Sequence, residues 1–451
     1  MKKVAFHNLG CKVNSYEMDG IEQKFQNEGF EIVNFAQKAD IYVINTCSVT
    51  NIADRKSRQM IHKARSLNSE ALIVAVGCYV QADPQKCNLD PDIDIAVGNN
   101  KKADVVQIIK QYCKEESDKL IVEDLSSNPS YEDFILESSN EHTRAFVKIQ
   151  DGCNQFCSYC IIPFTRGRIR SRSKESIIEE ITLLAKKGYK EFVLTGIHLS
   201  SYGITEGSYN ENAKDGYYNG ELIDIIETVS KIPGVGRIRL GSLEPRLITQ
   251  QFLSALKNVE SFCPHFHLSL QSGCDEVLKR MNRHYTTKEF ADKVRLIREY
   301  FEHPAVTTDV IVGFPMESEE EFNITKEYLN EINLYETHIF KYSRRKGTVA
   351  DKMKGQLTEA QKSARSSILS EDSDRRKRDF IEYYVGRKFD ILTEEVKTEG
   401  DAEYLTGYNK EYVRVAVIVD EQIKACATNC FLRVEGVKIT DGILFAKPVK
   451  D

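Results

Sequence analysis

The chain has 451 residues, 41% hydrophobic and 29% charged, which excludes a disordered or fibrous polymer and is too long for one compact core. Its net charge of −6 gives no global attraction to nucleic acid, so any RNA-binding surface has to be local. No apolar run reaches the roughly eighteen residues of a membrane span, and the opening MKKVAFHNLGCKVN is too polar for a signal peptide; a cytoplasmic location is expected, with no membrane partner. In a reducing compartment, twelve cysteines point to metal or redox use rather than to disulfides.

From Lys2 the pattern reads strand KKVAFH, a loop with Cys11 and a helix over Ser15–Glu28. Another strand follows, then IYVIN, a loop with Cys47, a helix over Asp54–Leu67, and the apolar run ALIVAVG ending at Cys78. With IDIAVGN and the helix KKADVVQIIKQY this alternation predicts an α/β domain, a doubly wound parallel sheet, over residues 1–115. Cys11, Cys47 and Cys78 each fall just past the carboxyl end of a strand, the edge of such a sheet where ligands bind. Three thiolates meeting there could hold a metal cluster; small buried cysteines after strands are the alternative. Cys87 and Cys113 lack this placement and are expected to pack or lie at the surface. Lys114–Glu141 reads as a polar linker, with Ser126–Ser130 its least ordered part.

Six further strand–helix units follow, with strands AFVKIQ, EFVLTG, RIRLGS, HFHLSL, AVTTDVIVG and ETHIFKY. They predict a six-unit βα partial barrel over residues 139–372, with its active face at the strand carboxyl ends. The loop after the first of these strands carries Cys153, Cys157 and Cys160, and chance yields such a C-x3-C-x2-C trio in roughly one chain of this composition in a hundred. Three thiolates ligate three irons of a cubane iron-sulfur cluster and leave the fourth iron open. Zinc, which normally takes four ligands, and buried free thiols are the alternatives. On the same face Thr195 and Gly196 allow close backbone approach, Glu244 offers a carboxylate to an ammonium, Gln271 can bond a ribose, and Gly313 leaves room for a base. His198 is expected in a loop or packing role, and Cys263 and Cys274 as structural. Arg166, Arg168, Arg170 and Arg172 alternate after the trio, and Arg344, Arg345 and Lys346 follow the sixth strand. Guanidinium forks suit phosphate; a solvated charged face is the alternative.

A charged helix-like stretch spans Leu357–Tyr384, and beyond Gly386 short strands with polar turns predict a small β-barrel over residues 376–447. Tyr404, Tyr408, Tyr412 and Arg414 are available there to RNA.

Nearly the whole chain resembles the radical S-adenosylmethionine methylthiotransferases. The likeness is carried by NLGCKVNSYE, NTCSVT, VGCYVQ, DGCNQFCSYC, TRGRIRSR, HLSLQSGCDEVLKRMNRHYT, TDVIVGFPMESEEEF and YSRRKGTVA. Within that family GCKVN at Cys11 resembles the MtaB branch, whereas relatives acting on isopentenyl-adenosine usually carry GCQMN and those acting on a ribosomal protein GCPKN. The resemblance implies a radical-generating [4Fe-4S] cluster on Cys153, Cys157 and Cys160, and an auxiliary [4Fe-4S] cluster on Cys11, Cys47 and Cys78. It implies S-adenosylmethionine near Thr195, Gly196, Glu244, Gln271 and Gly313, and a carboxyl-terminal TRAM domain. Its expected partners are the tRNA anticodon stem-loop, with Arg166, Arg168, Arg344 and Arg345 on the RNA, an electron donor such as a flavodoxin or ferredoxin, and a sulfur source. The expected reaction converts N6-threonylcarbamoyladenosine at tRNA position 37 to its 2-methylthio form; the radical chemistry calls for no acid–base side chain, so none is assigned. The alternatives are a relative acting on isopentenyl-adenosine tRNA or a ribosomal protein, and a non-catalytic iron-sulfur RNA-binding protein.

Overall fold

Two strands that are apolar almost throughout, Ile41–Thr46 and Leu72–Gly77, set the middle of the first domain, because a parallel sheet is covered on both faces and needs continuous hydrophobic runs. The computed structural model describes residues 2–127, 130–138, 143–204, 219–399, 402–419 and 428–449. Its first domain runs β1 (Lys3–Asn8), α1 (Lys12–Asn27), β2 (Glu31–Val33), β3 (Ile41–Thr46), α2 (Asn51–Leu67), β4 (Leu72–Gly77), α3 (Cys78–Ala82), α4 (Pro84–Leu89), β5 (Ile95–Val97), α5 (Val105–Tyr112) and β6 (Leu120–Ile121). The strands pair in parallel in the order β2-β1-β3-β4-β5-β6. That order reverses between β1 and β3, so the loops carrying Cys11 and Cys47 flank the switch point where open sheets bind ligands.

Strand β6 pairs with β5, so the first domain continues past residue 115. Much of the expected linker is in fact packed: Phe134 and Leu136 are buried in the first core, and Tyr16 donates to the Phe134 carbonyl at 2.6 Å. Aromatic and aliphatic residues spaced among acidic ones were enough to dock it. Of the Ser126–Ser130 stretch, residues 128–129 lie outside the described residues.

The central domain contains β7 (Arg144–Asp151), α6 (Ile162–Thr165), β8 (Arg170–Ser171), α7 (Lys174–Lys186), β9 (Glu191–Gly196), α8 (Gly220–Ser230), β10 (Arg237–Leu240), α9 (Gln250–Lys257), β11 (His265–Gln271), α10 (Asp275–Arg280), α11 (Thr287–Tyr300), β12 (Ala305–Val312), α12 (Glu319–Ile332) and β13 (Glu336–Lys341). Two sheets, β10-β9-β7-β8 and β11-β12-β13, are linked by bridges such as Leu243–Leu268 into an open barrel. Period-two alternation sorts each strand: Ala145, Val147 and Ile149 enter the core under the helices, which leaves Arg144, Phe146, Lys148 and Gln150 facing the lumen. Helix α13 (Glu359–Glu382), started by a capping box at Thr358, packs on β13 and runs across the expected boundary at residues 372–376. Strands β14 (Lys388–Glu399), β15 (Ala402–Tyr408), β16 (Arg414–Ile418), β17 (Phe431–Thr440) and β18 (Ile443–Pro448) close into a barrel, as the short-strand pattern predicts.

Both outer domains dock on the central barrel. The first spans the gap between its free edges: α1 lies along β7, while beyond β13 the Arg345 guanidinium donates to Ser48 at 2.8 Å and Asp54 at 2.7 Å near the start of α2. The carboxyl-terminal barrel closes the opposite, amino-end base. There Arg237 donates to the Tyr408 carbonyl at 2.7 Å and Arg239 to the Lys410 carbonyl at 2.9 Å. Glu191 binds Arg144 at 2.7 Å and Arg239 at 3.0 Å. Burial alone would raise the Glu191 pKa; Arg239 and Arg144 override it and hold the group at about 2. Among the described residues, no helix is long and apolar enough to cross a membrane.

Candidate active site

The loop after β7 is pinned by one glycine. Gly152 has φ +72°, and a Cβ there would lie 1.8 Å from the Arg168 carbonyl oxygen, so only glycine lets the two ends of the loop close. With the Cys153 amide donating to the Gly167 carbonyl at 3.1 Å, this fixes the loop holding Cys153, Cys157 and Cys160 over the carboxyl end of the barrel.

All three cysteines line a cavity of about 190 Å³ together with Glu244, Gln271, His198, Ser242, Ser269 and Arg283. Glu244 and Gln271, expected at strand carboxyl ends, thus line the same cavity as the trio. Gln271 reaches the cavity because the β11–β12 register shifts between Ser269 and Gln271, and Gln271 itself adopts φ +72°, a conformation uncommon for a side chain with a Cβ. Thr195, Gly196 and Gly313 are not among the lining residues. Thr195 is buried within β9, Gly196 gives its space to the Gln150 side chain, and Gly313 donates its N–H to Glu317 at 2.7 Å with Lys362 where a Cβ would stand.

The cavity chemistry fits a cationic metal group and a zwitterionic ligand. Burial, then Cys157 and Cys153, push the Cys160 thiol far above its usual range, so a bound cation has protons to displace. Arg283, a residue the sequence reading did not single out, donates to Cys157 Sγ at 3.1 Å and stays charged. Glu244 is held by Arg246 at 2.8 Å through Oε1, and its buried Oε2 has no hydrogen-bond partner among the described residues. His198, expected as a loop or packing residue, also faces this cavity: its Nδ1 meets Ser201 Oγ at 2.5 Å, its buried Nε2 is unpartnered, and burial with Arg283 and Arg246 nearby drops its pKa to about 3. It is a neutral hydrogen-bonding group there.

The second trio converges beside the first. A Cβ on Gly10 would come within 3.1 Å of the Cys47 Cβ, and Cys47 lies in the fields of Cys78 and Cys11, which with burial raise its pKa to about 11. The Asn99 amide donates both to Cys78 Sγ at 3.4 Å and to the Thr165 carbonyl at 2.7 Å, in the segment just past Cys160. Beneath both trios, Glu17 of α1 accepts from Lys102 at 2.5 Å, Lys148 at 2.8 Å and Arg166 at 2.6 Å, all essentially out of solvent. Asp151 adds contacts to Lys148 at 2.7 Å and Arg170 at 3.4 Å.

Residues 147–329 match the model of the Radical SAM superfamily, and residues 3–98 match uncharacterized protein family UPF0004. The threonylcarbamoyladenosine tRNA methylthiotransferase MtaB of Bacillus subtilis is 40% identical over 92% of this chain and 90% of its own length. The protein of the same name from Aquifex aeolicus is 39% identical over 92% and 99%. The chain belongs to the radical S-adenosylmethionine methylthiotransferase family. A tRNA-2-methylthio-N(6)-dimethylallyladenosine synthase of Thermodesulfovibrio yellowstonii is 33% identical over 91% of the chain and 92% of the relative. Among solved structures, the radical S-adenosylmethionine methyltransferase TsrM from Kitasatospora setae shares the fold with a TM-score of 0.54 over 75% of this chain and 73% of its own, at 15% identity.

In this methylthiotransferase the arginines expected on RNA divide by burial. Arg166 is 1% exposed and belongs to the Glu17 hub, and Arg345 is 7% exposed and clasps Asp54, so both join domains instead of facing phosphate. Arg168 lies exposed over the Phe156 ring at 4.7 Å, and Arg344 is exposed with its guanidinium on Asp351 at 2.8 Å. The tyrosines expected on RNA divide likewise: Tyr412 stacks on Tyr408 at 4.6 Å and takes a hydrogen bond from Arg144 at 3.0 Å, sealing the barrel base.

Proposed function

We propose that this methylthiotransferase converts N6-threonylcarbamoyladenosine beside the tRNA anticodon to its 2-methylthio derivative. The observation that carries the chemistry is the pair of cysteine trios on two docked domains, tied where the Asn99 amide donates to Cys78 and to the Thr165 carbonyl in the segment past Cys160. The choice of base is supported by the higher identity to the threonylcarbamoyladenosine enzymes, 40% and 39%, than to the dimethylallyladenosine enzyme, 33%.

Cys153, Cys157 and Cys160 would hold one [4Fe-4S] cluster, and Cys11, Cys47 and Cys78 a second. When bound, the first supplies a 5′-deoxyadenosyl radical from S-adenosylmethionine, which also provides the methyl group, and the second carries the sulfur. The chain's own contribution is charge and shape. Arg283 offsets thiolate charge at Cys157. The unpartnered Oε2 of Glu244 suits the methionyl ammonium, and Gln271 suits a ribose hydroxyl. Arg166, whose field reaches Cys78, belongs to a buried group in which Lys102, Lys148, Arg166 and Arg170 outnumber their contact carboxylates Glu17 and Asp151, and such a surplus favours an anionic thiolate-bound group.

The anticodon stem-loop would approach over Arg168 and Arg344, and a target base must leave its stack at a cost of a few kcal/mol, offset by ring and phosphate contacts. An electron donor such as a flavodoxin or ferredoxin and a sulfur source complete the cycle. Mass spectrometry of tRNA nucleosides from cells lacking the gene tests the reading: 2-methylthio-threonylcarbamoyladenosine disappears. If it persists unchanged while the dimethylallyl counterpart vanishes, the substrate assignment fails.

A further inference from the structure

Next to Cys11, Lys12 opens α1, which packs along β7. Its ammonium lies 5.7 Å from the centre of the half-buried Phe146 ring on the lumen face of β7. The side chain is open to water, and its electrostatic neighbours are Arg239, Arg144, Glu191 and Cys11, which sets it between the base of the barrel and the second cysteine trio. Glu191, the nearby carboxylate, is already engaged by Arg144 and Arg239. Among the described residues Lys12 has neither an ion pair nor a hydrogen bond; it is a cation in an electropositive chamber with no anion assigned to it.

The proposed substrate supplies one. In an adenine, C2 and the N6 substituent sit on the same edge of the ring, separated only by N1 and C6. A base whose C2 faces the trio at Cys11 therefore directs its N6 group along the wall that begins with the next residue. The threonylcarbamoyl group ends in a carboxylate, which a dimethylallyl group lacks. We infer that Lys12 is a specificity-determining residue that binds the carboxylate of the N6 substituent through a charge-assisted contact inside the lumen. The inference rests on the substrate proposed above and names the chain's means of selecting it. Opposite, His267, Asp309 and His338 line the same lumen, with His267 Nε2 3.3 Å from Asp309, and offer polar partners to the urea that links base and amino acid.

The test uses the full, cluster-reconstituted chain and three anticodon stem-loop RNAs carrying threonylcarbamoyladenosine, its methyl ester, or plain adenosine, with affinities read by fluorescence anisotropy. Wild type is expected to bind the acid about tenfold or more tighter than the ester. K12Q loses that margin while its affinities for the ester and plain RNAs move less than about twofold, and K12R keeps the preference. Equal binding of acid and ester by wild type, or a K12Q loss spread equally over all three RNAs, overturns the inference. Methylthiolation assays on the acid-bearing RNA and on a fourth stem-loop carrying dimethylallyladenosine separate the two levels: if the acid-bearing RNA is modified without any acid-over-ester margin, only the role of Lys12 falls; if wild type modifies the dimethylallyl RNA alone, the substrate reading falls with it.

Discussion

Arg166, Arg168, Arg344 and Arg345 look alike in sequence and differ in what surrounds them. Phosphate contacts contribute to the salt dependence of RNA affinity, with a slope of roughly 0.7–0.9 per contact on a logarithmic scale. Arg168→Ala and Arg344→Ala, both at exposed sites, are each expected to lower that slope by about one contact in titrations from low to high salt. Arg345→Ala should leave the slope unchanged and instead loosen the first domain, because its partners are Ser48, Asn51 and Asp54. A reduced slope in Arg345→Ala with normal stability would contradict this division. The sequence could not reveal it: the alternating spacing was visible, but Glu17 lies about 150 residues from Arg166, and only the docking of α1 turns a basic run into a buried hub. For the same reason Arg283 escaped notice, since nothing local marks a guanidinium that meets Cys157 across 126 residues.

At the level of elements, α1 is the fastening between domains. Glu17→Gln leaves Lys148 and Arg166 buried on Asp151 alone and, among the described residues, Lys102 buried without an ion pair, so a destabilisation of about 3–5 kcal/mol is expected, read as a lower denaturant midpoint. A midpoint within experimental scatter of wild type would show that the hub is dispensable. Strand and helix alternation was plain in the apolar runs, and so were the strand ends at which Cys11, Cys47, Cys78, Glu244 and Gln271 fall. The β11 irregularity that turns Gln271 into the cavity was not, because a register shift depends on the neighbouring strand, here β12. Likewise Tyr408 and Tyr412 carry the composition of an RNA surface, and pairing with Arg144 and Arg237 at the base of another domain decides their use.

For the whole molecule, the first domain docks on the central barrel through Arg345 and Asp54 and through Asn99, which sits on Cys78 and bonds the segment past the barrel's own trio. In the proposed reaction the two trios would divide the work. Cys47→Ala is expected to keep reductive cleavage of S-adenosylmethionine within a few-fold of wild type while abolishing methylthiolation; loss of both activities together would mean that the sites do not act separately. The most direct test of the account is the iron and acid-labile sulfide content of anaerobically purified chain, beside Cys47→Ala and Cys153→Ala. Two clusters require about eight irons and eight sulfides in wild type and about four of each in either variant; a wild type with about four, undiminished by Cys47→Ala, would contradict it.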